Sequence, residues 1–323
     1  MRAAYATSFD TDNPLTGLVV CDRPEPEVPE GWTRVRVKAA SLNHHDLWTL
    51  KGVGIKAEQL PMILGCDAAG IDESTGAEVV VHSVINQPGW TGDETLDPGR
   101  SLLSEKHQGS FAEYVVVPKQ NVVPKPAELS WGEAASLSTA WLTAYQMLFV
   151  RSSLRPGQTV LVQGASGGVA SAAIAMARAA GLRVWATARS EAKQQYALSL
   201  GAHEAFSSGA RLPERVDAVI ETVGQATWAH SVKSLKPGGQ IITSGATSGP
   251  NPPEDLTRVF FLQLQVIGST MGTKAELADM IEFLRLTGVR PHIDREIPLE
   301  NIADGLSAMA SGDILGKIVL TVG

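Results

Sequence analysis

The sequence predicts an α/β chain in which a doubly wound parallel sheet is joined to a second, β-rich domain. Two observations carry this. Between residues 159 and 188 an apolar run, a turn of small residues, an alanine-rich stretch closed by Gly181 and a second apolar run follow one another. Downstream, strand-like runs at 216–222, 239–244 and 265–269 alternate with helix-like stretches at 227–235 and 276–286. Such alternation builds a parallel sheet covered on both faces.

The 159–188 segment organises the rest. Residues 159–163 form a buried strand, 169–180 lack Pro and favour helix, and 182–188 form the next strand. The turn between them is Gly164-Ala165-Ser166-Gly167-Gly168. N–H groups at a helix start face an incoming pyrophosphate, and the helix dipole favours negative charge there. Without Cβ atoms, Gly167 and Gly168 let phosphates approach the backbone. The G-x-G-x-x-G pattern is degenerate, with Ala165, Gly167 and Ala170 at its three positions. The strand–turn–helix–strand context nonetheless assigns Ala165, Ser166, Gly167, Gly168 and Val169 to a dinucleotide.

The end of the second strand selects the coenzyme. An acid there holds the ribose 2′-OH of NAD. This chain has Ala188, then Arg189, Ser190 and, one helical turn on, Lys193. Two cations and a hydroxyl suit a 2′-phosphate, so the expected coenzyme is NADPH. Val223-Gly224 and Gly245-Ala246 end later strands, the edge where such sheets bind ligands, and are expected to touch the coenzyme through backbone.

Residues 1–124 carry short β-like runs at 33–39, 78–84 and 111–117, punctuated by Pro and Gly. Composition shifts near Pro124, and 130–147 reads as helix opened by a Ser130/Glu133 capping box. After about Gly272 the alternation breaks into a helix at 300–310 and a terminal strand at 316–320. The expected domains are therefore 1–124 with 273–323, and 125–272.

The 323 residues suffice for two domains. A net charge of −7 argues against nucleic acid or anionic membrane as partner. Mean hydropathy of +0.02 and the absence of a long apolar run fit a cytoplasmic protein. Cys21 and Cys66 are the only cysteines and make no CxxC pair.

Several segments together resemble the medium-chain dehydrogenase/reductase superfamily: LNHHDLW, LGCDAAG, GSFAEYVVVP, GASGGVA, LKPGGQII and GKIVL. The resemblance runs nearly the whole length and is nearest the zinc-independent, NADPH-using quinone oxidoreductase-like branch. It implies a GroES-like catalytic domain, a Rossmann domain, hydride transfer to a small electrophilic substrate, and a homodimer built by continuing the Rossmann sheet. It places Asn43, Cys66 and Thr139 where zinc-dependent members hold their metal, and Asp67 at the accompanying Glu. Asn and Thr are poor zinc ligands, and residues 89–109 lack the cysteines of a structural zinc lobe. No metal is expected.

Without a Lewis acid, an enone or quinone is the fitting substrate, because hydrogen-bond donors suffice for the anion it forms. The expected catalytic residues are Asn43 through its amide, His45 or its neighbour His44 as proton donor, and Trp48 as a pocket wall. On an extended segment the two histidines point to opposite faces. Asn43, Thr143, Met271, Gly272 and Lys317 are further expected coenzyme contacts. Two rival readings stand beside this one. One is a zinc alcohol dehydrogenase using the His/Cys/Asp set; the other is an NADPH-binding protein without turnover.

Overall fold

A computed structural model describes residues Met1–Gly323. The chain divides into two units. The first comprises Met1–Ala140, Met271–Leu286 and Arg290–Gly323, and the second Trp141–Thr270 with Thr287–Val289.

The second unit holds six strands, all parallel: Thr159–Val162, Arg183–Ala188, Glu204–Ser207, Val216–Glu221, Leu235–Thr243 and Gln265–Gly268. Numbered along the chain, their order in the sheet is 3-2-1-4-5-6, the Rossmann arrangement. The order reverses between the first strand and the fourth, where Val160 pairs with Val184 on one side and Ala218 on the other. The carboxyl ends at this point form the ligand-binding edge of such a sheet. Helix Gly168–Ala179 buries Ala170, Ala172, Ala173 and Ala177, and their small side chains let it lie close to its neighbours. Leu161, Trp185, Val219 and Ile241 fill one face of the sheet.

The first unit is built on a seven-stranded sheet. Its path runs Val122–Pro124, Glu78–Val81, Asp67–Asp72, Trp32–Ser41, Lys317–Thr321, Ile293–Pro298, and Tyr114–Pro118 also pairs with Trp32–Ser41. The terminal strand lies antiparallel to Trp32–Ser41, with Val319 opposite Ser41. The tail thus lies in the first unit, and this pairing brings Lys317 to the end of the Trp32–Ser41 strand. No helix is long and apolar enough to cross a membrane.

Some boundaries differ from the sequence expectation. The run at 78–84 stops at Val81, and the 111–117 run becomes a strand only from Tyr114. The helical stretch begins at Trp131 under the expected capping box: Ser130 N donates to Glu133 Oε2 at 2.7 Å, and Glu133 N to Ser130 Oγ at 3.2 Å. Residues 125–140 belong to the first unit, not the second. Side chains hold them there: Ser138 Oγ donates to Val81 O, and Thr139 Oγ1 to Asp67 Oδ1. Met271 and Gly272 also fall in the first unit, where Gly272 O accepts from His82 Nε2 at 3.0 Å.

Candidate active site

In the first unit, chemistry gathers where the Trp32–Ser41 strand passes into helix His44–Leu50. Asn43 caps this helix, and its N–H donates to Asp46 Oδ2 at 2.7 Å. Because the segment is helical, not extended, His44 and His45 diverge by a helical step.

Asp67 is wholly buried. Its Oδ2 accepts from Asn43 Nδ2 at 2.8 Å and Ser41 Oγ at 2.9 Å, and its Oδ1 from Thr139 Oγ1 at 2.6 Å. Lys317 is buried as well. Its Nζ donates to Leu42 O at 2.6 Å and Asn43 Oδ1 at 2.7 Å, and lies 3.6 Å from Asp67 Oδ2. Burial draws the Lys317 pKa down, with Asp67 and Asp46 opposing. Both ends of the Asn43 amide are thereby held: Nδ2 donates to Asp67 and to Ser41 O, and Oδ1 accepts from Lys317. This corrects the expectation that Asn43 donates to a substrate oxygen, since both its N–H bonds are engaged. It also corrects the expected contact of Lys317 with the coenzyme phosphate or ribose, since its ammonium points into this network.

His45 is gripped from both sides. Nε2 lies 3.1 Å from Glu105 Oε1; Nδ1 lies 3.1 Å from Cys66 Sγ and 3.3 Å from Ser104 Oγ. Burial opposes a charge on His45, but Cys66, Glu105 and Asp46 outweigh it and hold its pKa well above the ordinary value. Burial pushes the Cys66 thiol up, and His45 only partly offsets it. Burial also works against the Glu105 charge, yet bonds from His45 and Leu102 N hold its pKa below normal. The His44 ring makes no hydrogen bond within the chain. Burial and then Lys317 lower its pKa, and its ring stands 6.4 Å from that of Trp48. Trp48 is 38% exposed, so it is not a core residue. The free side-chain N–H donors on this helix are therefore His44 and Trp48, and the proton-donor role expected of His45 is corrected, since both its ring nitrogens already have partners.

Asp46 is the strained member. It is wholly buried, its Oδ1 has no partner, and burial raises its pKa from 3.8 to about 7 against the pull of His45 and the Asn43 amide. Oxygen and nitrogen atoms of Asp46 and His45 and the Cys66 sulfur lie within 4.8 Å of one another. Sequence reasoning missed Ser104 and Glu105, which sit in a loop without periodicity or motif.

In the second unit the turn after the first strand is bound by Ala165 N donating to Thr187 O at 3.0 Å. Gly164 has φ +72°, and a Cβ there would stand 2.9 Å from Val223, so glycine is required. Gly167 caps helix Gly168–Ala179, and a Cβ on it would meet nothing within 4 Å. That open space before the unpaired first-turn N–H groups, with Ser166 and Val169 alongside, fits a pyrophosphate. Beyond Ala188, Arg189 is exposed, and Ser190 Oγ caps the next helix by accepting from Lys193 N at 3.4 Å. The Ser190 hydroxyl keeps its own proton to donate.

Val223 and Gly224 differ from expectation. Their N–H groups donate to Glu221 Oε1, and their carbonyls accept from Ser248 and from Thr227 and Trp228. Backbone contact with a coenzyme is closed to them, and the Val223 side chain is what remains. Gly245 and Ala246 N–H groups make no hydrogen bond within the chain. Thr143 is buried on helix Leu142–Tyr145.

Residues 29–127 match the alcohol dehydrogenase GroES-like domain, and residues 168–285 match the zinc-binding dehydrogenase family. A zinc-type alcohol dehydrogenase-like protein of Schizosaccharomyces pombe is 30% identical over 98% of this chain and 99% of its own length. A quinone oxidoreductase of Lama guanicoe is 29% identical over 99% and 97%. The crystal structure of an NAD-dependent alcohol dehydrogenase superposes with a TM-score of 0.93, at 35% identity and full coverage of both chains. The chain belongs to the medium-chain dehydrogenase/reductase superfamily. Within it, this is an oxidoreductase of the pyridine-nucleotide-dependent kind.

The zinc implied by one family description does not fit the three positions aligned with its ligands. Asn43 offers an amide and Thr139 a hydroxyl, and both are bonded to Asp67.

Asp46 generates a pH prediction. A folded-state pKa near 7 against 3.8 means that the native chain retains a proton the unfolded chain has lost. This group's contribution to stability therefore falls as pH rises from about 4 to about 7, then levels off. Asp46→Asn removes that penalty. The unfolding temperature of the variant minus that of the wild type should become more positive between pH 5 and pH 8, measured by calorimetry.

Proposed function

We propose that the protein is an NADPH-dependent reductase of quinones or α,β-unsaturated carbonyls that works without zinc. The observation that carries this is the pair Asn43 and Thr139: neutral groups, already hydrogen-bonded, at the positions where a zinc enzyme needs thiolates. The bound dinucleotide would supply the hydride. The chain's own residues orient and donate. His44, kept neutral by burial, and Trp48 offer N–H groups to the oxygen that gathers charge. Solvent supplies the proton, since a neutral imidazole is a weak acid. The Asn43 Oδ1 keeps a lone pair for a ribose hydroxyl.

The coenzyme preference rests on Arg189, Ser190 and Lys193 beyond a strand that ends in Ala188. The 35% identical structure is of an NAD-dependent enzyme, so this chain's own residues are the support. In a screen of NADPH oxidation against quinones and enones, turnover is expected. Arg189→Ala with Lys193→Ala should raise the KM for NADPH at least tenfold, the loss of about 1.4 kcal/mol or more of charge-assisted bonding, and leave NADH within twofold. Equal losses for the two coenzymes would remove the 2′-phosphate reading.

A second reading has one observation behind it. Asp46 Oδ1 is buried without a partner beside His45 and Cys66, and His45 passes its other nitrogen to Glu105, as metal-bound histidines do. On this reading the chain is a zinc alcohol dehydrogenase with displaced ligands. Elemental analysis decides between them. The zinc-free enzyme should purify with less than about a tenth of an equivalent of zinc and keep its activity in chelator; stoichiometric zinc lost together with activity would establish the other.

We also propose a homodimer joined along the Gln265–Gly268 edge strand. Val266 on that strand is exposed, as are Leu256, Phe260 and Phe261 on the helix before it, an apolar patch at an unpaired sheet edge. Sedimentation equilibrium should give twice the chain mass, and Phe260→Glu with Val266→Glu should halve it. A wild-type monomer would sink the proposal.

A further inference from the structure

Glu221 ends the fourth parallel strand and is wholly buried without a basic partner. Its carboxylate is satisfied by neutral donors alone. Oε1 accepts from Val223 N at 2.8 Å and Gly224 N at 3.1 Å; Oε2 accepts from Ser231 Oγ at 2.6 Å; Thr227 Oγ1 lies 2.9 Å from both. Hydrogen bonds to an ionised acceptor are the strong ones, so the loop after this strand is pulled onto one anion.

A second loop hangs on the first. Ser244 N donates to Glu221 O, and Ser248 N and Oγ both donate to Val223 O. Gln225 N donates to Gly249 O. The free N–H groups of Gly245 and Ala246 sit on this second loop.

The same carboxylate is tied to the other half of the sheet. Ser231 Oγ gives its only proton to Glu221 and accepts from Gln163 Nε2 at 3.0 Å. The other Gln163 N–H reaches His230 Nδ1 at 2.9 Å, whose Nε2 donates to Ala210 O. Gln163 Oε1 accepts from Thr187 Oγ1. Every proton in this chain of bonds has one placement. Gln163 precedes the glycine turn, and Thr187 stands two residues before Arg189. In a sheet of this order the first three strands hold the adenosine half of a dinucleotide and the last three the nicotinamide half.

We propose that Glu221 is a positioning residue for the coenzyme: it fixes the 222–225 and 244–249 loops that receive the nicotinamide half and, through Ser231 and Gln163, locks them to the strands that receive the adenosine half. This rests on the reading of Val223, Gly245 and Ala246 as coenzyme contacts. Glu221→Gln keeps the size but replaces an acceptor oxygen by an amide that faces donors.

The test compares the whole coenzyme with its adenosine fragment on the purified full chain. The fluorescence-titrated pairs are NADPH with adenosine 2′,5′-bisphosphate and NADH with AMP. Glu221→Gln should weaken whichever coenzyme the wild type binds by about tenfold, the loss of one charge-assisted bond, and leave its fragment within twofold. Ser231→Ala, a milder change that adds no new donor, should weaken the coenzyme alone by about threefold. A merely structural role would lower the unfolding temperature and weaken coenzyme and fragment alike. That result, or wild-type coenzyme affinity in both folded variants, overturns the proposal. A wild-type chain that binds neither coenzyme overturns it together with the coenzyme reading.

Discussion

The buried carboxylate of Asp67 is the constraint on which the first unit's site depends. A buried carboxylate needs partners for its lone pairs, and the partners here come from three stretches of chain. Ser41 closes a strand, Asn43 opens a helix, Thr139 comes from the segment after the Trp131–Ala135 helix, and Lys317 starts the terminal strand. One side chain therefore gathers three segments far apart in sequence, around 41–43, 139 and 317. It also explains why residues 125–140 stay with the first unit although their composition resembles that of the second.

Both units use the same device in different chemical settings. Glu221 gathers loops as Asp67 gathers strands, and each is satisfied mainly by hydroxyl and amide donors. The settings differ in their neighbours. Beside Asp67 lie Lys317, His45, Cys66 and Asp46, all titratable, with burial raising the Asp46 and Cys66 pKa and lowering that of Lys317. Around Glu221 the partners are Thr, Ser and backbone, and the polar network runs on through Gln163. The first arrangement suits chemistry that moves charge, and the second suits holding a large ligand still.

The parallel sheet was legible because its signals are local. The glycine turn, the alanine helix and the Ser130/Glu133 box each depend on residues within a few positions of one another. The Asn43 amide was found as a site residue, but its occupied donors were not, because Asp67 and Lys317 reach it across 24 and 274 residues. His44 and His45 could not be told apart without the helix that turns one toward Glu105, itself 60 residues on in an irregular loop. Periodicity sees which face a residue takes, and not what the fold brings to meet it.

The terminal strand lies inside its sheet, flanked by Trp32–Ser41 and Ile293–Pro298. During synthesis the six strands of the second unit all emerge before Ile293–Pro298 and Lys317–Thr321, so the sheet of the first unit keeps a gap while the second is already complete. The Rossmann sheet can therefore close before the sheet of the first unit, which must wait for Lys317–Thr321. Until then Ala39–Ser41, at the end of the Trp32–Ser41 strand, lack their partner, and the five-residue strand Lys317–Thr321 both completes the Lys317 network and covers that edge.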